Sequence, residues 1–273
     1  MSTHMEEETI AFFGASGGVG LAALKHTLLS SGDGSRTRRC IALCRVPSKL
    51  TAILPPEKYP NLRIVQGNAH DLAAVTTCLQ VFRGEGSGVL VDKVITTIGG
   101  ALVPSKLSID DPHVCEKGMS VLLQAISNLC NNNHHGKKNP APHIICFSTT
   151  GISRFGRDIP LLMAPLYHVT LRVPHADKRA MEDALIAASG GGVVDKFTIV
   201  RASFMPSDGE DDKSKKDKDK EIRVSLEDPQ HGRIGPVAIG YTISKFDAGR
   251  WLAENLIIRD EEKYHNKIAT ITY

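Results

Sequence analysis

An apolar run, Thr9 to Phe13, empties directly into Gly14-Ala15-Ser16-Gly17-Gly18-Val19-Gly20, and this junction constrains the chain more than any other stretch. A strand that ends in a GxxGxxG turn and continues into the amphipathic segment LAALKHTLL has few structural solutions. Gly14 lets the chain leave the strand sharply, and Gly17 lets backbone approach a pyrophosphate. Gly20 lets the following helix pack closely on the sheet. Gly14, Ser16, Gly17, Gly18, Val19 and Gly20 thus form a candidate nucleotide cradle, with helix N-terminal amides turned toward an anion. Glycine spacing alone also fits an ordinary strand-to-helix turn. The flanking strand and helix, and a second strand at 39–44, favour the cradle.

Short apolar runs recur at 9–13, 39–44, 62–66, 92–96, 143–147 and 196–200, with helix-like segments at 18–30, 47–53, 71–82, 111–131 and 174–189. This alternation predicts an α/β fold: a Rossmann-like, doubly wound parallel sheet with a small C-terminal substrate-binding extension. Right-handed crossovers then bring the strand C-termini to one edge, where a cofactor can lie. Asp71 is placed to cap the third helix and Ser244 a late helix containing Phe246 and Trp251; residues 266–273 read as a final strand. A single domain spanning 1–273 is expected, with a flexible loop at 207–221, where acids and lysines mix without an apolar stripe.

The formal charge of +3 is small and its basic residues are scattered, so neither a nucleic-acid partner nor a membrane partner is expected. No basic-then-apolar leader and no apolar run of about 18 residues is present, which points to a soluble, cytoplasmic chain, monomeric or homodimeric. Cysteines 40, 44, 78, 115, 130 and 146 lack paired metal spacing and read as reduced packing thiols. His134 and His135 sit in a polar loop without a neighbouring carboxylate or thiol at ligand spacing, so no metal site is expected.

The order of motifs resembles the atypical short-chain dehydrogenase/reductases, the NmrA-like and biliverdin/flavin-reductase-like branch of NAD(P)-binding Rossmann proteins. The resemblance rests on GASGGVG (14–20), ALCRVPSK (42–49), VQGN (65–68), TTIGG (96–100), FSTTG (147–151), DKRAMEDAL (177–185), TIVR (198–201) and YTISKFDAG (241–249). At the end of strand two, where an acid would hold the ribose hydroxyls of NAD, stand Cys44 and Arg45, with Lys49 one turn later. A guanidinium there can grip a 2′-phosphate, which favours NADP(H). The resemblance further implies that Asn68 contacts adenine and that Thr97, Ile98 and Gly99 pass under the cofactor's ribose and pyrophosphate.

For catalysis the resemblance implies Ser148 as the group touching nicotinamide or substrate, and Lys178 as the lysine holding the nicotinamide ribose. The tyrosine expected four residues before that lysine is replaced by Pro174. Tyr167 stands eleven residues from Lys178, about 16 Å along a continuous helix, and Pro174 is expected to begin a new segment. His175 is nearer and titrates in the right range to donate a proton. Reduction of a flavin or conjugated acceptor mainly needs close stacking on nicotinamide, so a missing tyrosine is compatible with an NADPH-dependent reductase of a conjugated or aromatic small molecule. An NADP(H)-sensing regulator and a non-redox enzyme of the same fold remain open alternatives. The stretch IPLLMAPLY (159–167) reads either as an apolar substrate wall or as a packing or subunit contact.

Overall fold

A computed structural model of the chain describes residues 7–30, 37–81, 88–100, 102–103, 108–131, 139–165, 167, 170–206 and 220–273. Most of the loop expected at 207–221, together with His134 and His135, lies outside these residues. Nine strands form the main sheet: β1 (Glu7–Phe13), β2 (Thr37–Cys44), β3 (Leu62–Gln66), β4 (Lys93–Thr96), β5 (His143–Thr149), β6 (Phe197–Ala202), β7 (Arg223–Asp228), β8 (Gly232–Ile234) and β9 (Lys267–Thr272). Their order is β8-β7-β9-β6-β5-β4-β1-β2-β3.

The strands from β3 through β9 in that order are parallel, and the central ones are largely buried because helices cover both faces. One face packs on α1 (Gly18–Leu29) and α6 (Lys245–Leu252), through Ile10, Phe12, Ile145 and Val200. The other packs on α3 (Leu72–Leu79), α4 (Val114–Asn131) and α5 (Arg172–Gly190), through Ala11, Val94, Ile144 and Ile199. A short α2 (Pro47–Thr51) follows β2.

Local sequence sets the boundaries. Asp71 Oδ1 accepts from the Ala73 and Ala74 amides, and Ser244 Oγ from the Asp247 amide, so both expected caps start their helices. Helix α5 begins at Arg172, two residues before Pro174; proline is tolerated in the first turn, where its missing N–H has no intrahelical partner. Trp251 is buried against Tyr264, whereas Phe246 lies 45% exposed with its ring tilted against His26.

Past the loop expected at 207–221, where no apolar run marks a strand, the chain contains β7 and β8. These strands extend the sheet antiparallel beyond β9. Their side chains are mostly half-buried or exposed, so no apolar run marks them.

Candidate active site

The sheet reverses direction of growth between β1 and β4, leaving a crevice above their C-terminal ends. Gly14 has φ +88, and a Cβ there would come within 2.9 Å of Thr97 backbone and hydroxyl. A Cβ on Gly20 would meet Thr97 Oγ1 at 2.3 Å and the Gly14 carbonyl at 2.6 Å. Both glycines are therefore required by packing. Thr97 locks the junction: its amide donates to Phe13 O at 2.9 Å, and its hydroxyl lies 3.2 Å from the Phe13 and Gly14 carbonyls.

Gly17 differs from both. It is extended, and a Cβ there would meet nothing within 4 Å, because it faces the cleft. Helix α1 has no side-chain cap and no acid in its first turn. Its leading amides and this open space suit a pyrophosphate.

The cleft holds about 420 Å³ and is lined by Gly14, Ser16, Gly17, Arg45, Asn68, Thr97, Ile98 and Gly99, eight of the residues singled out in sequence. Gly18 (φ +56), Val19 and Gly20 support it from the start of α1 without lining it. Arg45 is exposed at the rim, and no acid stands at the end of β2; Lys49 is exposed on α2, outside the lining. Asn68 Oδ1 accepts from the His70 amide at 3.2 Å, so the turn itself fixes the side chain beside the cleft. His70, Asp110 and Asp111, which the sequence did not suggest, complete the far wall. Asp111 is held below the usual carboxylate range, chiefly by the His113 amide and also by Lys117.

Deeper in, Lys178 Nζ donates to Ile98 O at 2.7 Å and Phe147 O at 2.8 Å, tying α5 to the ends of β4 and β5. An ammonium has three donors, and two of them go to these carbonyls with Cys115 also alongside. Asp177, buried beside it, accepts from the Cys115 and Glu116 amides at 2.9 Å each and so caps α4. Cys115 in turn donates weakly to Ile98 O, and burial pushes its thiol up to about 11 despite nearby Lys178. Ser148, one residue before the end of β5, is on the same face as Cys146; it is 2% exposed and its hydroxyl has no hydrogen-bond partner among the described residues.

Tyr167 is buried beside Thr150, Gly151 and His175. The Tyr167 and His175 rings lie 5.3 Å apart. A Cβ on Gly151 (φ +87) would strike Tyr167 at 2.4 Å and His175 at 3.0 Å. The Tyr167 hydroxyl lies 3.3 Å from Thr150 Oγ1, and burial raises its pKa. A second cleft of about 460 Å³ opens here, bounded by Gly151, Tyr167, Arg172, His175, Arg179 and Asp183. In the 159–167 stretch Leu161 and Leu162 are 71% and 81% exposed, while Ile159 and Tyr167 are buried.

No protein-family profile matches the chain. Reductase pytE of Aspergillus terreus is 37% identical over 283 residues, covering 97% of this chain and 98% of the relative. Oxidase pynE of Aspergillus niger is 29% identical, covering 98% and 99%. Among solved structures, an NADPH-bound carbonyl reductase from chicken fatty liver superposes with a TM-score of 0.55 at 16% identity, covering 92% of this chain and 87% of its own. A short-chain dehydrogenase from Streptomyces avermitilis gives 0.56 at 13%, covering 100% and 89%. At these identities the solved structures speak for the fold alone. Among the described residues no helix is long and apolar enough to cross a membrane.

Proposed function

We propose that the chain, which belongs to one family with reductase pytE and has a short-chain dehydrogenase/reductase fold, is an NADPH-dependent reductase of a conjugated or aromatic small molecule. The observation that carries this reading is the cleft at the β1/β4 reversal, where Gly14, Gly17 and Thr97 meet Arg45 and no acid ends β2. The residues fit the cofactor. A pyrophosphate has α1's uncapped amides and the space at Gly17; a 2′-phosphate has the guanidinium of Arg45.

When bound, the dihydronicotinamide supplies a hydride. The chain's own residues then have distinct tasks. Lys178, held by two carbonyls at the end of the cleft, positions a ribose. Ser148 offers its unpartnered hydroxyl to nicotinamide or acceptor. The aromatic wall of Tyr167 and His175 suits a flat acceptor in the second cleft, with His175 the nearest group able to hand on a proton. Pro174 stands where the family's tyrosine would be, which favours an acceptor needing little help from a strong acid.

The test is loss of NADPH absorbance with the full chain and a screen of flavin, quinone-like and enone acceptors. Oxidation is expected with at least one class, and Lys178→Ala should lower turnover on the order of a hundredfold through misplacement of the cofactor. Tyr167→Phe should barely change the rate. Tight NADPH binding with no oxidation across the screen would replace this reading with the sensor or non-redox one.

A further inference from the structure

At the edge of the sheet opposite the cofactor cleft, where β5, β6 and β9 begin, His143, Asp260 and His265 converge. One ligand atom from each lies within 4.8 Å of the other two. The hydrogen bonds around His143 fix its tautomer. Thr198 Oγ1 donates its only proton to Tyr264 O at 2.9 Å, so at 3.0 Å from His143 it must accept from Nε2–H. In the neutral ring Nδ1 then carries a lone pair. It is buried, makes no hydrogen bond and faces Asp260 Oδ1 at 3.5 Å.

A lone pair aimed at a carboxylate oxygen in a buried position is unfavourable unless something positive lies between them. We propose that His143 Nδ1, Asp260 Oδ1 and His265 Nε2 bind a divalent transition-metal ion of the Zn²⁺ type.

Two nitrogens and one carboxylate oxygen are the donors such an ion takes, with water completing the set from the solvent side, where Asp260 and His265 are partly open. Donors on a tetrahedral ion stand about 3.4 Å apart. The 3.5 Å between His143 and Asp260 is close to this, and at 3.1 Å His265 Nε2 now shares a hydrogen bond with Asp260 Oδ1, whose proton the ion would replace. Thr198 is the outer partner that orients a ligating imidazole.

Two ammonium groups face the same aspartate, and both sit on its other oxygen. Lys93 lies 3.5 Å and Lys196 3.7 Å from Oδ2. Lys93 is balanced by Glu8 at 2.8 Å and Ile257 O at 3.0 Å, and Lys196 is 37% exposed and screened. Their repulsion disfavours hard cations held by charge alone and leaves the imidazole-binding metals.

Chelator-treated full chain should be titrated with Co²⁺ and followed in the visible range, then back-titrated with Zn²⁺. The expected result is one equivalent giving the d–d bands of a four-coordinate nitrogen and oxygen site, abolished by excess Zn²⁺. His265→Ala and Asp260→Asn, each checked for native circular dichroism, should weaken Co²⁺ by at least tenfold. His265→Gln offers a gentler variant for the same comparison. No bands, bands unchanged in every folded variant, or a sulfur-to-metal charge-transfer band from the cysteines would each overturn the proposal. The readout is independent of turnover, so it stands or falls separately from the reductase reading.

Discussion

Ser148 carries a buried hydroxyl that no described residue satisfies, a state that costs a fold about 1–3 kcal/mol. Such a cost persists where the group has work to do on a ligand, and the two effects separate in one variant. Ser148→Ala should leave the melting temperature unchanged or raise it, and lower NADPH turnover by less than Lys178→Ala does. Thermal melts and steady-state rates on the same preparation check this; a destabilised Ser148→Ala would show that the hydroxyl is a packing group. Arg45 answers a different question. Its guanidinium stands exposed at the rim with no acid at the end of β2, so NADPH should bind more tightly than NADH. Arg45→Ala should remove most of that preference, about 1.5–3 kcal/mol for a charge-assisted contact. Calorimetric titration with both nucleotides decides it, and equal affinities in the unmutated chain would refute it.

Helices α1 and α6 meet at Gly249, where a Cβ would come within 2.5 Å of Ala22 Cβ and 2.6 Å of Val19 O. Backbone is in the way, so the helices must part. Gly249→Ala should cost about 1–3 kcal/mol, and because Val19 belongs to the first turn of α1, NADPH affinity should fall with it. Urea melts and nucleotide titration test the pair; full affinity in a destabilised variant would show that the cradle does not depend on α6. This contact was not legible in the sequence, since YTISKFDAG gives a helix start but no partner. What was legible follows a physical pattern. The six apolar strands, the two caps and the glycine turn are encoded by neighbours within a few residues, and each appears in the fold. Tyr167 beside His175, Asp177 across from Cys115 and Glu116, and the triad of 143, 260 and 265 join residues through tertiary packing. No periodicity announces them. The strands β7 and β8 escaped for a related reason: half-buried edge positions show too little hydrophobic contrast.

Across the whole molecule the six cysteines are all free and buried, four of them on the face covered by α3, α4 and α5. Burial raises the thiols of Cys40, Cys78, Cys115 and Cys146, to about 12 for Cys78 and about 11 for Cys115. A raised thiol keeps its proton in the fold while the unfolded chain ionises near the ordinary 9.0. The stability held by such a group is complete below pH 9 and is lost as pH rises toward the folded value. For Cys115 alone the loss between about pH 9 and 11 is on the order of 3 kcal/mol, and the other buried thiols steepen the same limb. The protein should therefore resist thiol reagents at neutral pH and lose stability steeply in alkali, even though a formal charge of +3 predicts no such asymmetry. Urea midpoints followed from about pH 8 to 11 measure the slope, and Cys115→Ala isolates one contribution. The variant begins below the unmutated chain, since deleting a buried side chain leaves a cavity, and the gap should narrow as pH climbs. Curves that stay parallel across that range would show that Cys115 ionises in the fold as readily as in the unfolded chain, and that the packing around Ile98 admits water.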